Sequence, residues 1–84
     1  MTKLTKWDIT FIISTFYNVN MEDVLGPSRK HNLMPARHMA MFFCDAITDY
    51  SSAEIGAFFN RDHACVFYAR KKILTAISTE GRSK

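Results

Sequence analysis

The sequence predicts an all-α domain, because apolar residues recur at intervals of three and four and no useful run alternates with period two. Thr5 with Asp8 and Ser51 with Glu54 have the spacing of capping boxes, which mark helix starts. The 84 residues suffice for one domain, and a 48% hydrophobic content can fill its single small core. We expect one domain over 1–84, built of five helices, with frayed ends at about 1–4 and 79–84.

The first two helices are predicted in the N-terminal third. Helix one follows Thr5 and continues to about Tyr17, with a broad apolar face made of Trp7, Ile9, Phe11, Ile12, Ile13 and Phe16. Asn20 can cap a second helix of one or two turns, in which Glu22 and Asp23 are favourably placed near the N-terminus. The stretch 26–32 combines Gly26 and Pro27 with clustered basic residues and is predicted to be an exposed basic loop.

Three further helices are predicted after this loop. Helix three begins near Met34 and Pro35 and ends at about Thr48, with an apolar stripe of Ala36, Ala40, Phe43 and Ile47. Helix four is short and follows Ser51. Asp62 can cap the longer helix five, whose buried stripe is predicted to be Val66, Ala69, Ile73, Ala76 and Ile77.

The net charge of +3 is unevenly distributed along the chain. Up to Ser28 there are two basic and three acidic residues (net −1), whereas from Arg29 onward there are nine basic and five acidic residues (net +4). A basic face on a small protein indicates a polyanionic partner, nucleic acid first. The alternative is a charged surface that serves only solubility.

Other classes of function find little support in the sequence. The longest apolar runs are far shorter than a membrane span, and no export signal is visible, so we expect a cytoplasmic protein. The histidines and cysteines show no paired ligand spacing, and no catalytic Cys-His arrangement can be identified. We expect Cys44 and Cys65 to be reduced and buried. We therefore expect no enzyme activity, no metal and no cofactor.

Helices four and five have the order of a helix-turn-helix, in which a short helix, a tight turn and a longer helix follow one another. The first residues of the second helix reach base edges in the major groove, and here they are Arg61, Asp62 and His63. Asp62 can be a plain N-cap, or its carboxylate can accept a hydrogen bond from the cytosine amino group. Both roles are compatible if the cap faces the groove.

Three stretches of this chain resemble the C-terminal DNA-binding domain of DnaA, the bacterial chromosomal replication initiator. They are ARHMAM at 36–41, SSAEIG at 51–56, and RDHACV at 61–66 leading into RKKI at 70–73. The resemblance covers roughly Asp8 to Ile77. It implies a Trp-repressor-like helical fold that binds double-stranded DNA through both grooves, here as a small stand-alone domain associated with the nucleoid.

The resemblance also implies a role for individual residues. Arg29 matches the loop arginine that enters the minor groove, Asp62 and His63 match residues that contact bases in the major groove, and Ala64 can touch a thymine methyl group. His38, Ser52 and Cys65 occupy positions expected at phosphates. The basic Lys30, Arg37 and Arg61 surround the same predicted face and are also expected to contact phosphates.

The chain departs from the family pattern at four positions. Ala64 and Cys65 replace adjacent threonines, Asp45 replaces a basic residue and would repel phosphate, and Asn60 replaces a glycine in a turn that is one residue shorter. Gly26, Gly56 and Gly81 are isolated and form no phosphate-binding loop, so we expect no ATP binding. The expected protein is a monomer that modulates replication or transcription. The alternative is a protein-interaction module that keeps the fold, has lost strong DNA binding, and binds replication-initiator or other replication proteins.

Overall fold

A computed structural model describes residues 4–27 and 33–81 of the chain. Within these two ranges it contains five α-helices and no strand: α1 (Lys6–Tyr17), α2 (Met21–Leu25), α3 (Leu33–Ile47), α4 (Ser52–Phe58) and α5 (His63–Gly81). The predicted fold class is confirmed. α5 continues to Gly81, two residues past the point at which fraying was expected. Residues 28–32 of the basic loop lie outside the described residues.

Two helices start with the predicted capping boxes. The amide of Asp8 donates to Thr5 Oγ1 at 3.2 Å, and the amide of Thr5 donates to Asp8 Oδ2 at 3.0 Å. The matching bonds between Ser51 and Glu54 measure 3.1 and 2.8 Å. Asn20 does occupy the N-cap of α2, although its side chain makes no capping hydrogen bond. Local capping therefore fixes where α1 and α4 begin.

The hydrophobic core is organised around α3, which packs against each of the other four helices. Ala36 and Ala40 are completely buried on α3, and their small side chains let neighbouring helices approach closely. The other core residues are Ile9, Val24, Leu33, Met41, Cys44, Ile55, Phe59, Val66 and Ala69. The predicted stripes of α3 and α5 are thus confirmed in their first turns.

The distal ends of these two stripes were predicted wrongly. Ile47, in the last turn of α3, and Ile77, near the end of α5, are both more than half exposed. Ile73 and Ala76 line a cleft with Met34 at the start of α3, so α5 runs antiparallel to α3. The last turns of α5 extend beyond the helix on which it packs, and Ala76 and Ile77 are exposed there.

Only half of the apolar circumference of α1 faces the core. Ile9, Thr10 and Ser14 are buried, with Ile13 and Tyr17 packed against the core beside them. The rest of the predicted broad apolar face is exposed, namely Trp7, Phe11, Ile12 and Phe16. A helix that packs on one side of a small domain can bury only one stripe, which accounts for the difference.

No helix in the two described ranges combines the length and the apolar character needed to cross a bilayer.

Candidate nucleic-acid interface

A tight turn joins α4 to α5 and completes the predicted helix-turn-helix. The amide of Arg61 donates to the carbonyl of Gly56 at 2.7 Å, which brings the turn back onto α4. A Cβ atom at Gly56 would lie 2.9 Å from the carbonyl oxygen of Arg61 and 3.0 Å from that of Asp62. Glycine is required here because backbone approaches backbone. The role of Gly56 was not predicted from the sequence, although an isolated glycine inside an apolar helix is a signal of close packing.

Asn60 occupies the corner of this turn with a φ of 59°, in the left-handed region. Asparagine is one of the few residues other than glycine that adopt this conformation readily. The replacement of the family's glycine by Asn60 therefore leaves the turn intact. The asparagine also adds a contact, because its Nδ2 donates to the carbonyl of Leu25 at 2.9 Å.

The turn is further linked to α2 by Arg61. Arg61 Nη2 donates to the carbonyl of Gly26 at 3.3 Å, while Nη1 donates to the carbonyls of Phe59 and Asn60 at 3.1 and 3.2 Å. Cationic donors at a helix C-terminus satisfy carbonyls that lack intrahelical partners. Because Gly26 is the first residue of the basic loop, these bonds connect the start of that loop to the turn before α5.

Arg37 completes the cap on the carboxyl end of α2. Its Nε donates to the carbonyl of Val24 at 2.7 Å, and its Nη2 donates to the carbonyls of Asp23 and Gly26 at 3.2 and 3.1 Å. Burial, and secondarily the positive charge of Arg61, lowers the pKa of Arg37. The side chain is 2% exposed. Within the described residues the guanidinium of Arg37 is bound to backbone carbonyls, and its expected phosphate contact stays a prediction.

The N-terminus of α5 presents its first side chains to solvent. The side chains of Asp62 and His63 are 74% and 58% exposed, and Ala64 is exposed beside them. Asp62 Oδ1 accepts from the amide of His63 at 2.8 Å and lies 3.0 Å from His63 Nδ1. The predicted cap thus contacts the first amide of α5. The same carboxylate remains at the surface where a base edge could meet it.

A cleft of about 290 Å³ between α3 and α5 brings four of the predicted site residues together: Arg37, His38, Arg61 and Cys65. Ser52 is not among its lining residues and lies in the first turn of α4, half-buried. Cys65 is half-buried as well, whereas Cys44 is fully buried as predicted. Burial raises the pKa of the Cys44 thiol to about 11, so this thiol is unreactive at neutral pH.

His38 lies against the aromatic ring of Tyr68 in this cleft, with 5.5 Å between the ring centroids. Desolvation lowers the pKa of His38, and the charges of Lys72 and Arg37 lower it further. The imidazole is therefore neutral at pH 7. A neutral His38 can donate a hydrogen bond to a phosphate but adds no charge.

Asp45, which was expected to repel phosphate, is paired within the protein. Its Oδ2 lies 3.9 Å from Nε of Arg70, in an ion pair that joins α3 to α5. The pair reduces the negative potential that Asp45 would otherwise present beside the cleft. Arg29 and Lys30, the two predicted contacts in the basic loop, lie outside the described residues.

Comparison with known proteins identifies the family. The family described as bacterial dnaA protein helix-turn-helix matches residues 7–73, from the first turn of α1 into α5. The chain is also 37% identical over 65 residues to the chromosomal replication initiator protein DnaA of Mycobacteroides abscessus, across 77% of this chain and 13% of that protein. The chain thus spans only a small part of this curated relative's length. The predicted resemblance is confirmed, and the chain belongs to the bacterial DnaA helix-turn-helix family.

Proposed function

We propose that this chain binds double-stranded DNA by inserting the N-terminus of α5 into the major groove and the basic loop into the minor groove. The observation that carries the proposal is the exposed start of α5, held by the Gly56 turn inside a matched DnaA helix-turn-helix. A helix-turn-helix presents this same end of its second helix to base edges.

Base recognition is assigned to three residues of α5 and its cap, together with one residue of the loop. The exposed carboxylate of Asp62 accepts from a cytosine amino group, His63 hydrogen-bonds an adjacent base, and Ala64 touches a thymine methyl group. Arg29 enters the minor groove, where a narrow width concentrates negative potential. Together these four contacts supply sequence preference.

Phosphate contacts are assigned to side chains that surround this face: Lys30, His38, Ser52, Arg61 and Cys65. Arg61 is only half-buried, and a guanidinium has five N–H donors, so it can bind a phosphate while it holds the turn. Ser52 lies in the first turn of α4, where the helix dipole favours an anion. Arg37 supports the face from beneath through its bonds to the carboxyl end of α2.

The biological role proposed is modulation of replication initiation or transcription at initiator-like boxes. This role is supported by the name of the relative, a chromosomal replication initiator protein, of which the chain matches only one part. Recognition of DNA would require neither a cofactor nor a catalytic residue of this chain.

The test begins with selection of bound sequences from a pool of random duplexes, followed by anisotropy titration of the selected duplex. With Arg29, Lys30 and Arg61 at phosphates or in a groove, log K against log salt should slope by about −3, at −0.9 per contact. Asp62→Asn and His63→Ala should each weaken binding to the selected duplex by about 1–3 kcal/mol and leave binding to a random duplex little changed. Ile77→Ala, on the far end of α5, is the matched control.

Two outcomes would contradict the proposal. If the parent and both variants bind selected and random duplexes equally well, the assigned base contacts are not made. Capture of a replication protein by a chain that binds no duplex at low salt would establish the interaction module instead.

A further inference from the structure

Two hydrogen bonds join the turn before α5 to the carboxyl end of α2, which lies 35 residues earlier in the chain. Asn60 Nδ2 donates to the carbonyl of Leu25 at 2.9 Å, and Arg61 Nη2 donates to the carbonyl of Gly26 at 3.3 Å. Leu25 is the last residue of α2, and Gly26 is the first residue of the basic loop. The element proposed for the minor groove therefore starts at a point that is tied to the helix-turn-helix.

The chain leaves this point with little freedom. Pro27 has its own φ held near about −65° and restricts the residue before it to extended backbone. Gly26 has that extended conformation, with a φ of −84° and a ψ of −175°. Arg29 is the third residue after Gly26, and three residues reach at most roughly 10–11 Å. The position of Arg29 relative to α5 therefore depends on where Gly26 is held.

The side chain of Asn60 serves this link and is not needed for the turn itself. Its φ of 59° is one that glycine adopts at least as easily, so the backbone alone does not call for asparagine. What the exposed amide adds is the bond to Leu25. Arg61, by contrast, also binds two carbonyls within the turn and is assigned to a phosphate. Asn60 is therefore the residue through which the link can be tested separately.

We propose that Asn60 is a positioning residue, which fixes the spacing between the minor-groove and major-groove elements of the DNA site. This inference rests on the proposed DNA binding. A duplex with one base pair more or less between the two elements displaces one of them by about 3.4 Å along the axis. The start of the basic loop can follow only by moving away from the turn, which breaks the bond between Asn60 and Leu25. One such bond shifts an equilibrium by about two- to tenfold.

The test uses the 84-residue chain and the duplex selected by the parent. Base pairs whose preference is lost in Arg29→Ala mark the minor-groove element, and those lost in His63→Ala mark the major-groove element. Anisotropy titration then compares the selected duplex with two shifted duplexes, in which one base pair is inserted or removed between the elements. The parent should bind the selected duplex about tenfold or more tightly than either shifted duplex, because a displaced element loses base contacts.

Two substitutions of Asn60 should relax this spacing preference. Asn60→Gly keeps the left-handed turn and removes the amide, whereas Asn60→Asp keeps the size and replaces the donor by an acceptor. Each should reduce the ratio of affinities for selected and shifted duplexes by about two- to tenfold. A charge effect of the new aspartate acts on every duplex and cancels in the ratio. A loss of stability, followed by thermal unfolding, also cancels, because it lowers the amount of folded protein equally for all duplexes.

Asn18→Gly is the matched control. Asn18 ends α1 with the same φ of 59°, is exposed like Asn60, and makes neither of the two bonds between α2 and the turn. The substitution therefore adds the same backbone freedom at another place and should leave the ratio unchanged.

The possible failures can be told apart. A parent that binds selected and shifted duplexes equally would overturn the positioning role and leave the proposed DNA binding intact. The parent's ratio in Asn60→Gly would overturn it too, as would an equal reduction by Asn18→Gly. A parent that binds no duplex at low salt would overturn both proposals together.

Discussion

Replacement of Arg37 by Met tests whether this arginine holds the fold together or contacts DNA. The variant keeps an unbranched side chain but removes the three donated hydrogen bonds to the carbonyls of Asp23, Val24 and Gly26. These carbonyls end α2. Arg61 also donates to the carbonyl of Gly26, and Asn60 donates to that of the adjacent Leu25. The substitution therefore loosens the link between α2 and the turn before α5.

The expected loss of stability is large for a domain of this size. A hydrogen bond from a charged donor contributes about 1.5–3 kcal/mol to the stability of the folded state. The loss is partly offset because the variant no longer has to bury a charge. Each buried carbonyl that is left without a donor costs about 1–3 kcal/mol, so Arg37→Met should lose at least that amount. At about 0.05–0.15 kcal/mol per residue, the free energy of unfolding of the whole domain is roughly 4–13 kcal/mol. Arg37→Lys keeps the positive charge but lacks the planar guanidinium with its several donors, so it should lose less stability than Arg37→Met.

The assay is urea unfolding followed by circular dichroism, with Arg70→Met as the matched control. Arg70 is more than half exposed and its nearest carboxylate is 3.9 Å away, so its loss should cost less than about 1 kcal/mol. The salt dependence of DNA binding by Arg37→Lys should equal that of the parent. A stable Arg37→Met variant whose slope against log salt falls by about one would show that Arg37 binds phosphate and would refute the reasoning.

Four smaller perturbations test other parts of the structure. Gly56→Ala should destabilise the domain by about 1–3 kcal/mol in urea, because the added Cβ meets backbone of the turn. Ser14→Ala should stabilise it by about 1 kcal/mol in the same assay, since the buried hydroxyl has no hydrogen-bond partner among the described residues. Maleimide should label Cys65 but not Cys44 in the native protein, and bound duplex should protect Cys65. Burial lowers the pKa of His38 below 6.5, so the unfolded state takes up this proton first and stability should fall as pH drops below about 6.5. His38→Gln should lessen that fall in thermal unfolding. Refuting outcomes would be unchanged stability for Gly56→Ala, a loss for Ser14→Ala, labelling of both thiols, or a His38→Gln pH profile identical to the parent's.

Local signals in the sequence were sufficient to predict much of the fold. The capping boxes at Thr5 and Ser51 depend on residues only three positions apart, and both form as predicted. The helix-turn-helix was predictable because its order of elements is itself local. The exposed Asp62 and His63 follow from their position at the start of α5.

The features that were not predicted are mainly contacts between elements distant in sequence. Arg37 binds backbone carbonyls that lie 11 to 14 residues earlier, and a carbonyl leaves no mark in the residue pattern. A sequence also cannot indicate which half of an apolar helix faces the core, as Phe16 shows with its 80% exposure. Ile47 and Ile77 continue regular stripes past the region where α3 and α5 pack, since periodicity carries no information about where a neighbouring helix ends.

The most direct test of the proposed DNA interface is a titration of the isotopically labelled chain with its selected duplex, followed by amide NMR spectra. We predict that the largest shift changes fall at 61–65 around the start of α5 and at 28–31 in the basic loop, with the amides of α1 unaffected. Shift changes confined to α1, or none at duplex concentrations far above those of the protein, would contradict DNA binding through this helix-turn-helix.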